Sequence, residues 1–75
     1  MDILKNTTFI KCRNLVSKPV EINFTDGKGS QRIAPLTSVF YIDEGRLNRD
    51  ELATAQLENH VKAKKIRILA RGVEL

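Results

Sequence analysis

Cys12 and His60 are the only cysteine and the only histidine of this chain, and neither has a partner nearby in sequence. Nucleophilic catalysis needs a base beside the nucleophile, and acid–base chemistry needs titratable groups converging in a pocket. The carboxylate pairs Asp43-Glu44 and Asp50-Glu51 stand at unrelated places and read as turn and helix-capping residues. One cysteine and one histidine cannot supply the usual four ligands of a structural zinc ion. Gly27-Lys28-Gly29 sets a lysine between glycines, but the G-x-x-x-x-G-K-[ST] frame of a phosphate-cradling loop is missing. The expectation is a protein that is no enzyme, with no catalytic residue, metal or cofactor. His60 reads as a partly buried helix residue.

Charge is the next clue. Thirteen Lys+Arg against nine Asp+Glu give a net charge of +4, and the pI is near 9.6. Lys62, Lys64, Lys65, Arg67 and Arg71 gather in the C-terminal region, while acidic residues cluster earlier. Such a patch suits an acidic protein surface or a nucleic acid, beside its plainer use as a solvated face. Single-strand binders interleave aromatics with their basic residues so that bases can stack. Here only Phe9, close to Lys11 and Arg13, does so, and no RNP-like pattern occurs. Non-specific contact with a nucleic-acid backbone is therefore the second reading.

The elements that must carry these residues are mostly strands. Residues 18–42 read almost unbroken as paired strands: Val20, Ile22 and Phe24 alternate with Glu21, Asn23 and Thr25 before the Asp26-Gly27-Lys28-Gly29 turn. Strands are expected at 7–13, 20–25, 30–33, 39–42 and 65–71. The 39–42 run, Val39-Phe40-Tyr41-Ile42, is apolar on both faces, so Phe40 or Tyr41 is a candidate interface anchor, with core packing expected of at least one of them. Asn48 followed by Glu51 forms a capping box, and Leu47, Ala53, Leu57 and Val61 make a helical stripe. Leu52 lies about 140° from Leu57 on the helical wheel. Either Leu52 meets a partner, or the helix breaks near Thr54 with Thr54 capping the second piece; the break is preferred.

The fold expected is mainly β: a small antiparallel sandwich or barrel of about five strands with one helical insert before the last strand. It forms a single domain over residues 1–75, with an arm or irregular first strand at 1–6 and a tail at 72–75 that either pairs or is free. Aromatics are few and a disulfide is impossible with one cysteine, so a chain this short is expected to gain stability from a neighbour, by homo-oligomerisation or docking. No apolar run approaches the roughly 20 residues that cross a bilayer, and Met1 to Lys5 is not expected to be a signal peptide. A cytoplasm, or something assembled there, is the expected setting.

Three stretches then combine. Ile10-Lys11-Cys12-Arg13-Asn14-Leu15-Val16-Ser17-Lys18-Pro19-Val20-Glu21-Ile22 is followed by the glycine turn and by Arg32-Ile33-Ala34-Pro35-Leu36-Thr37-Ser38-Val39. Val61-Lys62-Ala63-Lys64-Lys65 leads into Ile66-Arg67-Ile68-Leu69. This resembles small virion structural proteins of tailed bacteriophages, with their "N-L-s-x-k-P-V", "I-x-P-x-x-S-V" and "L-x-x-h-V-x-x-G-x-I-x-I" patterns. One departure stands out: the glycine expected before the last strand is Lys64 or Lys65. The resemblance implies a non-enzymatic component that decorates or joins a capsid, assembled in the bacterial cytoplasm. Its partner would be the major capsid protein or another virion protein, with Val39, Phe40, Tyr41 and Leu52 as candidate contacts. A small inhibitor docking on a bacterial enzyme is a third reading.

Overall fold

The computed structural model describes residues 7–75, so the expected arm at 1–6 lies outside the described residues. Strand β1 (Thr8–Asn14) is the centre of a three-stranded antiparallel sheet, flanked by β4 (Phe40–Asp43) and β5 (Ile66–Glu74) in the order β4-β1-β5. Strands β2 (Val20–Ile22) and β3 (Gln31–Ile33) form a separate antiparallel hairpin. Helices α1 (Glu44–Asn48) and α2 (Glu51–Lys62) fill the connection from β4 to β5. The fold is thus mainly β, with five strands in two antiparallel sheets and helical structure before the last strand.

Period-two alternation decides what is buried. Ile10 and Cys12 of β1, Phe40 and Ile42 of β4, and Ile66 of β5 point to one face of the sheet. There they join Val20, Ile22 and Ile33 from the hairpin and Leu47, Ala53 and Leu57 from the helices in a single core. Gln31 ties the hairpin to the sheet by donating from Nε2 to the Tyr41 carbonyl at 2.9 Å.

Strand β2 ends at Ile22, not at Thr25 as alternation predicts. The backbone N–H of Asn23 donates to Gln56 Oε1 (2.9 Å) and that of Thr25 to Asp50 Oδ2 (2.6 Å). Both groups are thereby committed to α2 and are lost to the β3 ladder. Strand β5 runs longer than expected. Of the two alternatives for the tail, pairing is the one found, Val73 with Phe9 and Glu74 with Thr8, across two register shifts. Gly72 has φ +67°, a conformation that glycine adopts at little cost in such a bulge.

The expected break near Thr54 is not found: α2 runs unbroken through it, and the break lies before Asp50, between α2 and the separate short helix α1. Arg49 and Asp50 close α1 by donating to the carbonyls of Gly45 (3.2 Å) and Leu47 (3.0 Å). Asp50, not Asn48, is the N-cap of α2, its side chain accepting from Ala53 N at 3.1 Å. Thr54 lies inside α2 and caps nothing; its hydroxyl donates back to Leu47 O at 2.7 Å, across the break.

The missing glycine is resolved by strain. Lys64 itself takes the left-handed position, at φ +61°. Its N–H donates to Val61 O (3.0 Å), and that of Lys65 to His60 O (2.9 Å), the two bonds of a Schellman cap. A side chain in that conformation costs roughly 1 kcal/mol. Lys64→Gly is therefore expected to raise the melting temperature by about 5 °C in a domain this small. A melt that is unchanged or lowered would show that the cap carries no strain.

Candidate functional site

The groups that could do chemistry are dispersed and occupied. Cys12 is buried in the core, and that burial pushes its thiol up to about 11, so little thiolate forms near neutrality. His60 Nε2 lies 3.0 Å from the Glu21 carbonyl and ties α2 to β2. Asp43 and Asp50 cap the two helices. Among the described residues, no three His, Cys, Asp or Glu side chains come together as a metal site. A groove of about 590 Å³ lies between α2 and β5, with Leu57, Val61 and Ile68 in its lining and Lys62 and Arg71 beside them.

The basic C-terminal residues do not form one patch. Lys62, Lys64 and Lys65 are exposed around the end of α2. Arg71 lines the groove on the helical side together with Lys62. Arg67 lies opposite Arg13 in the β1–β5 ladder, on the other face of the sheet.

The four candidate partner contacts also separate. Phe40 is only 8% exposed and packs in the core, which corrects its reading as a surface anchor: its register places it beside Ile42 on the inner face. Tyr41 faces outward and meets Phe9 edge-on, with ring centroids 6.4 Å apart. Val39 is exposed just before β4. Leu52, 57% exposed in the first turn of α2, needs no broken helix to explain it.

Two surfaces regroup some of the expected residues with others. The first is the outer face of the three-stranded sheet, which no described helix or hairpin covers. Phe9, Lys11 and Arg13 alternate with the buried positions of β1, and Tyr41 and Arg67 stand opposite Lys11 and Arg13. Sequence showed only the β1 part of this cluster, because the other members come from distant strands.

The second surface is the end of the molecule where the loop after β1 meets the turn after β3. Asn14 N donates to Thr37 O (2.9 Å), and Leu36 N to Val16 O (3.0 Å). Both bonds draw exposed Leu15, Leu36 and Val39 to the same end. Leu36 has φ +55° at the third position of the turn from Ala34 to Thr37, a backbone conformation in which glycine is preferred. It is nonetheless a leucine, and it is 62% exposed. No sequence signal marks it, since Pro-Leu is an unremarkable pair until the backbone conformation is known.

Arg46 braces the hairpin loop against α1. Its guanidinium donates to Asp26 from Nε (2.6 Å) and Nη2 (3.1 Å), and from Nη2 to Gly29 O (2.6 Å). It also stacks 3.7 Å from the centroid of Phe24. The 23–30 loop is thus pinned by side-chain bonds, which suits a structural part better than a mobile, ligand-closing one. No family model, curated protein or solved structure matches the chain.

Proposed function

We propose that this chain is a non-enzymatic structural protein of a tailed-phage virion that decorates or joins the capsid through protein–protein contact. We read its two sheets as an open sandwich: they share one core, yet no ladder joins them.

The observation that carries the proposal is Leu36. A large apolar side chain held out to solvent on a left-handed backbone is unfavourable twice over, once in strain and once in hydration. Residues kept in such conformations cluster where a protein acts. With Leu15 and Val39 at the same end, Leu36 is suited to enter an apolar pocket on another virion protein. Repetition over a particle would multiply a modest contact.

The test supplies wild-type and Leu36→Gly chains to particles of the phage that encodes it, and quantifies both by mass spectrometry of purified virions. Leu36→Gly relieves the turn, so its melting temperature should rise by about 5 °C. Its incorporation should nevertheless fall roughly tenfold, the loss expected of one interface anchor. A chain missing from purified particles, or Leu36→Gly incorporated like wild type, would sink the reading.

A further inference from the structure

The outer face of the three-stranded sheet combines two properties that rarely serve a solvated surface. It is cationic where the strands meet. Arg13 lies directly opposite Arg67, and Lys11 is on the same face of β1. Like charges placed opposite one another across strands are destabilising. Among the described residues neither guanidinium has a carboxylate within salt-bridge distance. Asp43, at the rim opposite Phe9, already accepts from Arg46 N to cap α1.

The face is also aromatic. Phe9 and Tyr41 sit diagonally across the β1–β4 ladder in edge-to-face contact, beside Lys11. Side chains on one face of a strand repeat at about 7 Å, a spacing comparable to that of successive phosphates along an extended single strand. Aromatic rings offer every base a stacking surface, whereas the bases of a duplex are already stacked within it.

We infer that this face binds single-stranded nucleic acid, with Lys11, Arg13 and Arg67 on phosphates and Phe9 and Tyr41 beneath bases. Binding would relieve the arginine pair, which explains why two like charges persist at facing positions. The residues of this face are not those of the apolar end, Leu15, Leu36 and Val39, so the inference goes beyond the protein contact proposed above and can fail independently of it.

The test is fluorescence anisotropy of the full chain against a labelled oligothymidylate of roughly 20 nucleotides. A duplex of the same length is the comparison, with salt varied from about 50 to about 200 mM. The single strand should bind at least roughly tenfold more tightly than the duplex. Log affinity should fall against log salt with a slope of about −2, the value for three phosphates on a single strand. Arg13→Gln and Arg67→Gln should each weaken binding and flatten that slope by about 0.7, without lowering the melting temperature. Tyr41→Leu should weaken binding roughly tenfold with the slope unchanged. Lys28→Gln, in the hairpin loop, should behave as wild type. A flat titration at the lowest salt overturns the inference and returns the face to a protein partner. Losses as large for Lys28→Gln as for Arg13→Gln overturn it as well, because they would reflect net charge alone.

Discussion

Asn14→Leu is expected to lower the melting temperature by about 15 °C or more, the largest effect of any single substitution considered. Asn14 is 1% exposed, and every bond it makes joins segments that are distant or irregular. Its Nδ2 donates to Ala34 O (2.9 Å) and Lys18 O (3.3 Å), and its Oδ1 accepts from Val16 N (3.1 Å). Leucine fills a similar volume but leaves these backbone groups without their buried partner. Orphaning such groups costs on the order of 3 kcal/mol, against a total stability of only about 4–11 kcal/mol for a chain this short. Converted at about 5 °C per kcal/mol, that gives the stated drop. Leu15→Ala, one position on and exposed, should move the melt by no more than a few degrees. Thermal circular dichroism of the two variants decides the matter: comparable shifts would mean that the asparagine is not the anchor of this end.

The same residue shows what the chain discloses as sequence. The stretches 14–20 and 33–39 are recognisable as turn-forming patterns, yet nothing in either says that they touch. Asn14 and Ala34 meet because β1 and the turn after β3 end at the same side of the core. Local alternation was legible: the burial of Ile10 and Cys12, the existence of a hairpin between β2 and β3, and the return strand from Ile66 all follow it. Boundaries were less so. Whether Asn23 and Thr25 extend a strand depends on Gln56 and Asp50, both more than twenty residues away.

The candidate surfaces were less legible still, for the same reason. Lys11 faces Tyr41 and Arg13 faces Arg67 only after the order β4-β1-β5 is settled, and strand order is a long-range property. The run Val39-Phe40-Tyr41-Ile42 looks apolar on both faces, and composition alone cannot say which ring is inside. Register assigns Phe40 to the core and Tyr41 to the open face. Leu36 and Lys64 are strained positions occupied by ordinary residues, so sequence propensity hides them where a glycine would have advertised them.

Asp50→Ala is expected to lower the melting temperature at neutral pH by on the order of 10 °C, and Asp50→Asn to change how stability depends on acid. Asp50 is 4% exposed and does two tasks at once. Its Oδ1 caps α2 at Ala53 N, and its Oδ2 accepts from Thr25 N (2.6 Å) and Thr25 Oγ1 (3.1 Å), fastening the end of β2 to the helix. The Thr25 N–H bond holds the Asp50 carboxyl below its ordinary value. Nearby Asp26 is lowered to about 2, chiefly by the Arg46 guanidinium and then by the Lys28 N–H. A carboxylate whose pKa falls on folding stabilises the native state above its unfolded pKa, near 4. That contribution fades as pH drops through the folded value. Wild type should therefore keep a level melting temperature from neutrality to about pH 4 and lose stability between about pH 4 and pH 2. Asp50→Asn retains an oxygen for the cap but carries no charge, so its melt should begin lower at neutral pH and decline less over the same window. Asp26→Asn should flatten the acid limb only slightly, since its ion pair with Arg46 is partly solvated. Melts at half-unit steps of pH measure all three curves. Parallel acid limbs for wild type and Asp50→Asn would mean that a different carboxylate governs acid unfolding.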